Sequence, residues 1–155
     1  MSAYEERILR TMEAFRRNRY DVSRFAECTA AADYLAAEIR GKRVGFGDSE
    51  TLRALSLYER LSVHNEVIDP PRAGHVGGIE AFLAAGREAL MTDVFLLSAN
   101  AITEEGQILN MDGAGNRVAG SLFGHEKTYF VVGINKLVPD IEAGIERIHR
   151  IAAPR

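Results

Sequence analysis

The stretch Asp93-Val94-Phe95-Leu96-Leu97-Ser98-Ala99-Asn100 (93–100) decides the fold class. Four large apolar residues stand in a row between two polar ends. A half-buried strand would alternate apolar with polar. A run that is apolar on both parities predicts a strand buried on both faces, as in a parallel sheet covered by helices.

Working outward, the same logic returns several times. Arg43–Gly47 reads as a short strand, Val63–Ile68 as another, and Lys127–Ile134 as a third, with Gln107–Met111 as a small strand returning antiparallel. Tyr20–Phe25 also alternates through Tyr20, Val22 and Arg24 and is expected as a first strand. Between these lie segments of helical period. Tyr4–Asn18 carries Ile8, Met12 and Phe15 on one stripe. Cys28–Ile39 carries Ala32, Leu35, Ala36 and Ile39, with Gly41 just beyond its end. Glu50–Tyr58, Ile79–Leu90, Arg117–Phe123 and Asp140–Ile151 are further expected helices, the last with Pro139 in its first turn. Pro70 and Pro71 are read as stopping a strand, and Arg72–Gly78 as irregular chain. Strands alternating with helices make an α/β fold: a Rossmann-like, three-layer, mostly parallel sheet with helices on both faces.

The 155 residues suit one domain with one core, and no linker or repeat interrupts them. A net charge of -3 argues against nucleic acid, which requires a basic face. Arg16-Arg17-Asn18-Arg19 reads as a solvated helix end. Cys28 is the only cysteine, so the chain has no internal disulfide and no cysteine cluster; a buried thiol is expected. The four histidines lack metal-binding spacing, and no metal or iron–sulfur site is expected within the chain. His75 and His125 read as loop residues, although the glycines around His75 would also suit a lid, and Tyr129 reads as packing. No apolar run approaches the ~20 residues of a membrane helix. Met1–Arg10 lacks the pattern of a signal peptide, so the cytoplasm is the expected location.

Chemistry concentrates where strands end. Three exits are polar and rich in small residues: Gly47-Asp48-Ser49-Glu50-Thr51, Ser98-Ala99-Asn100-Ala101-Ile102-Thr103, and Gly133-Ile134-Asn135-Lys136. In a parallel sheet, ligands bind outside the carboxyl ends of the strands, so these exits are expected on one rim. The first exit has two readings. It is an anion cradle of amides behind Gly47, or a plain strand-to-helix turn capped by Asp48 or Ser49. Asp112-Gly113-Ala114-Gly115-Asn116-Arg117 offers Asn116 as a helix cap and Arg117 as a planar fork for a carboxylate or phosphate. The alternative pairs Arg117 with Glu104, Glu105 or Asp112. The expected ligand-binding set is Gly47, Asp48, Ser49, Thr51, Asn100, Thr103, Gly113, Gly115, Asn116, Arg117, Asn135 and Lys136, with Glu104 and Asp112 as candidate acid–base groups.

The order VGFGDSETLRAL (44–55), EVIDP (66–70), TDVFLLSANAITEEGQILNMDGAGNRVAG (92–120) and FVVGINKLVPDIEAGIERI (130–148) resembles the lactate-utilisation (LUD) domain family, from about Met12 to Pro154. That family is similar in fold to ribose-phosphate isomerases, glucosamine-phosphate deaminase, CoA transferases and formyltetrahydrofolate cyclo-ligase. The resemblance implies a small-molecule cleft at the strand ends and matches Gly47–Thr51 to a phosphate or carboxylate loop. It places Asn100 where sugar-phosphate isomerases carry an aspartate. An amide cannot act as a general base, which counts against isomerase chemistry. The resemblance further implies a role in lactate or related small-carboxylate use, with iron–sulfur partner proteins acting in trans. The expected partners are thus a small anionic metabolite and such proteins. A homodimer would suit a domain of this size, and nucleic acid is not expected. Two alternatives stand beside ligand binding: a non-catalytic subunit of a lactate-oxidising complex, and an isomerase- or ligase-type enzyme acting on a phosphorylated metabolite.

Overall fold

The computed structural model describes residues 2–153. They divide into two compact units, one drawn from Phe25–Ser98 and Asp112–Val131, the other from residues 2–24, Ala99–Met111 and residues 132–153.

The first unit is the α/β core. Its strands β1 (Arg43–Phe46), β2 (Glu66–Ile68), β3 (Val94–Leu97) and β6 (Lys127–Phe130) form one sheet in the order β2-β1-β3-β6. All three pairings are parallel, with Val44 opposite Val67 and Val94, and Leu96 opposite Tyr129. All four residues of β3 are buried, as the 93–98 run demands. The side chains separate by parity. Val44, Phe46, Val94 and Leu96 join Ala32, Leu35 and Ile39 of the α2 segment, Leu52 of α3, and Leu57 and Leu61 of α4 in one core. Phe95, Leu97 and Ile68 join Ala89 of α5 in the second. Helices α2 (Cys28–Glu38), α3 (Glu50–Ala54) and α4 (Leu57–Leu61) therefore serve one face, and α5 (Pro70–Ala89) the other. Helix α6 (Asn116–Leu122) seats Gly120 directly on the ring of Phe95. The result is the Rossmann-like three-layer arrangement.

The second unit holds α1 (Ala3–Arg17), a small sheet in the order β5-β4-β7, and α7 (Ile141–Arg147), which continues as a wider turn over Ile148–Ala152. Strand β4 (Ala101–Thr103) pairs antiparallel with β5 (Ile108–Leu109) and parallel with β7 (Leu137–Val138). The hairpin turn between β4 and β5 carries Gly106 at φ +82°, against the backbone of Ala14 and Phe15 in α1. Asn18 Nδ2 donates to the carbonyls of Glu105 and Gly106, and Arg7 Nε to Glu104 Oε1 at 2.6 Å. Gly144 of α7 packs on Leu109 and Ala101.

Several expectations are corrected. Tyr20–Phe25 is not a strand: it alternates, but pairs with no edge and lies largely exposed. The stretch expected as one helix over Glu50–Tyr58 is two short helices, broken where Ser56 adopts φ +50°. Pro70 and Pro71 open a helix instead of stopping the chain. Asp69 caps α5 and prolines fit its first turn, so Arg72–Gly77 and His75 are helical. The irregularity shrinks to Gly78, whose φ of +71° and ψ of -162° break α5 in two. Strand β6 ends at Phe130, and Ile134–Lys136 is a 3-10 turn. Asp140 caps α7, leaving Pro139 outside it. Cys28 is exposed, not buried.

Candidate functional site

The chain leaves β1 towards β2 on one side, and β3 lies on the other. Their carboxyl ends thus flank the point where strand order reverses, which is where open α/β sheets form a ligand crevice. Gly47 sits there and extends the ladder, its N–H donating to the Leu96 carbonyl at 2.8 Å. A side chain at Gly47 would meet Arg117 Cγ at 3.0 Å and Leu97 Cβ at 3.1 Å. The missing side chain is what allows the aliphatic stem of Arg117 to lie on the β1 exit.

Arg117 is held firmly. Its Nε donates to Asp112 Oδ1 at 2.7 Å, and the two side chains are only 15% and 7% exposed. The other Asp112 oxygen accepts the Val118 N–H at 2.6 Å, across the first turn of α6. Asp112 thereby caps the helix, the role sequence reasoning gave to Asn116. Asn116 lies one residue inside α6, and Gly115, at φ +82°, is the residue before the helix. The Asn116 Nδ2 is buried and makes no hydrogen bond. Nothing crowds Gly113 or Gly115.

Ser49 is the cap of α3, its Oγ accepting the Leu52 N–H at 3.3 Å. Thr51 lies in that helix, its carbonyl accepting from the Leu55 N–H. The acidic flank at Asp48 and Glu50 is bound by Arg53, a residue not singled out from the sequence. The Glu50 carboxylate, then the charge of Asp48, stabilises the Arg53 guanidinium and raises its pKa. The i, i+3 spacing of Glu50 and Arg53 was the available signal. At the end of β2 stands Asp69, the cap of α5. Burial pushes its carboxyl above the ordinary aspartate value, and the charge of Asp48 adds to this. The Arg72 N–H and the charges of Arg72 and Arg53 oppose the shift.

The second and third exits belong to the other unit, where their residues build its small sheet. Asn100 donates its N–H to the Leu109 carbonyl and to Asn110 Oδ1, accepts the Met111 N–H on Oδ1 at 2.7 Å, and accepts Arg147 on its carbonyl. Thr103 is fully buried and fixes the hairpin turn by accepting the Gln107 N–H at 3.1 Å. Glu104 is tied to Arg7. Asn135 and Lys136 lie on the 3-10 turn, where the Lys136 N–H donates to the Gly133 carbonyl. Among the described residues, no group of three or more His, Cys, Asp or Glu side chains is arranged to hold a metal ion. No helix among them is long and apolar enough to cross a membrane.

The family model of the LUD domain matches residues 8–155. The chain belongs to the LUD domain family. This membership associates the domain with lactate utilisation. No curated protein and no solved structure matches the chain. In this LUD domain, the VGFGDS, EVIDP and DGAGNR motifs lie on the parallel-sheet unit, at or beside the ends of β1, at β2, and at the start of α6. The NAITEEG and GINK motifs lie on the small-sheet unit.

Proposed function

We infer that this LUD domain binds a small carboxylate of the lactate class at the carboxyl ends of β1 and β3, with Arg117 as the recognising cation. The observation that carries the reading is the seat of Arg117 on Gly47, at the point where the strand order reverses. A planar guanidinium suits a carboxylate because it presents two parallel donors. Asp112 is then a positioning residue: one oxygen orients Arg117 and the other fixes the helix that carries it. The buried, unpaired amide nitrogen of Asn116, next to Arg117 in the chain, supports the same reading. A donor buried without a partner costs about 1–3 kcal/mol, and an acceptor on a ligand would remove that cost. Glu104 belongs to the other unit, where its pairing with Arg7 fits a structural role.

Calorimetric titration with L-lactate, pyruvate and lactamide tests the reading. Lactate or pyruvate should bind saturably, lactamide should not, and Arg117→Gln should weaken the carboxylate at least tenfold while circular dichroism stays native. Equal binding of lactamide, or an unchanged affinity in the folded Arg117→Gln protein, would overturn it.

A further inference from the structure

A second feature of the parallel-sheet unit lies at the amino ends of its strands, where the proposed carboxylate site has no part. His125 occupies the turn between α6 and β6. Its ring stacks on Phe95, with centroids 4.8 Å apart and planes 24° apart. Its Nδ1 lies 2.7 Å from the Thr92 carbonyl oxygen. A carbonyl only accepts, so Nδ1 carries the proton in the neutral ring and Nε2 presents a lone pair. That Nε2 is buried and has no hydrogen-bond partner.

His125 lines a solvent-open cavity of about 390 Å³, bounded also by Ser121, Leu122, Phe123, Gly124 and Thr128. This volume falls within the range of small-molecule pockets, roughly 300–1,000 Å³. Leu122 and Phe123 are apolar yet 77% and 91% exposed. Beside the hydroxyl-bearing Ser121 and Thr128, a fixed acceptor next to exposed apolar side chains suits a molecule with an apolar body and one donor.

We propose that this cavity is a second binding site, taking a small neutral molecule that has an aromatic or aliphatic body and one hydroxyl or N–H. The donor bonds to His125 Nε2, and the body covers Leu122 and Phe123. Charge is not required, so the ligand class differs from that of the carboxylate site. Each site can be tested without the other.

Phenol and benzene are the probes, because they differ by one hydroxyl. In protein labelled with ¹⁵N, long-range spectra report His125 Nε2 directly. Phenol should shift this resonance and the amides of Ser121–Gly124 saturably, whereas benzene should leave Nε2 unmoved. His125→Phe keeps an aromatic ring on Phe95 and removes the acceptor, so it should abolish the preference for phenol over benzene. Absence of saturable shifts with phenol in the native protein, or equal effects of both probes on Nε2, overturns the proposal. In those cases the cavity is only a surface depression.

Discussion

Gly120→Ala offers the sharpest test of how α6 is seated. A Cβ at this position would lie 2.4, 2.5 and 2.7 Å from Phe95 Cζ, Cε1 and Cε2. Ordinary contact begins about 1 Å further out. Phe95 has little room to retreat, since it is 1% exposed and stacked on His125. Overpacking of this kind costs about 1–3 kcal/mol, and the severity of three simultaneous clashes favours the upper end. Replacing a helical glycine by alanine returns about 1 kcal/mol of helix propensity. The net loss is about 2 kcal/mol, and at about 2–4 °C per kcal/mol for a chain of this size the melting temperature should fall by about 4–8 °C. Thermal unfolding followed by far-ultraviolet circular dichroism measures it. Phe95→Leu shortens the ring, so the double mutant should be less destabilised than the sum of the two single changes. A Gly120→Ala protein as stable as the parent, or strict additivity with Phe95→Leu, would refute the direct seating of the helix on the ring.

Asp112→Ala removes the ion pair to a nearly buried guanidinium together with a helix cap; a loss of about 3–5 kcal/mol in chemical denaturation is expected, with Asp112→Asn losing less. Gly106→Ala places a Cβ 2.8 Å from the Ala14 carbonyl carbon, at a φ of +82°. Left-handed strain and overpacking together cost about 2–4 kcal/mol, and faster hydrogen exchange in α1 would register it. The raised pKa of Asp69 sets a pH trend. Between the unfolded value near 3.8 and the higher folded value, the folded chain holds more protons, so the contribution of Asp69 to stability is full below the window and is lost as pH rises through it. Asp69→Asn keeps a capping side chain but does not titrate. Its stability relative to the parent should therefore rise with pH across that window, and a flat or falling difference would contradict the assignment.

The parallel sheet was legible because its signal is local. β3 is apolar on both parities, and each end of β1 and β3 is marked by polar or small residues. The small sheet was less so. Its β5 was readable as a returning strand, but β4 and β7 are three and two residues long, and only their mutual pairing defines them. Ala101 and Thr103 are buried without forming an apolar run, so Asn100–Thr103 read as a polar exit when it is built into a hairpin. Tyr20–Phe25 failed in the opposite way, with the right period and no neighbour to pair with. In the α5 region, Gly74, Gly77 and Gly78 outweighed the Asp69-Pro70-Pro71 start signal, although only Gly78 departs from helical geometry. At the candidate site the glycine and the arginine were both visible in sequence. What sequence could not supply was their contact, since Gly47 and Arg117 are brought together only by the packing of α6.

The division of the chain has a consequence for how it is made. The polypeptide passes between the two units four times, after residues 24, 98, 111 and 131. Strand β4 is complete at Thr103, but its parallel partner ends only at Val138. At a synthesis rate of about 5–20 residues per second, those 35 residues take about 2–7 s to appear on the ribosome. During that interval the outer edge of the nascent β4–β5 hairpin has no strand beside it, and an open edge is a template for pairing with other chains. The intervening residues include α6 and β6, so the wait is spent completing the parallel sheet. Slow codons or lesions in Asp112–Val131 would thus lengthen the exposure of a hairpin they never touch.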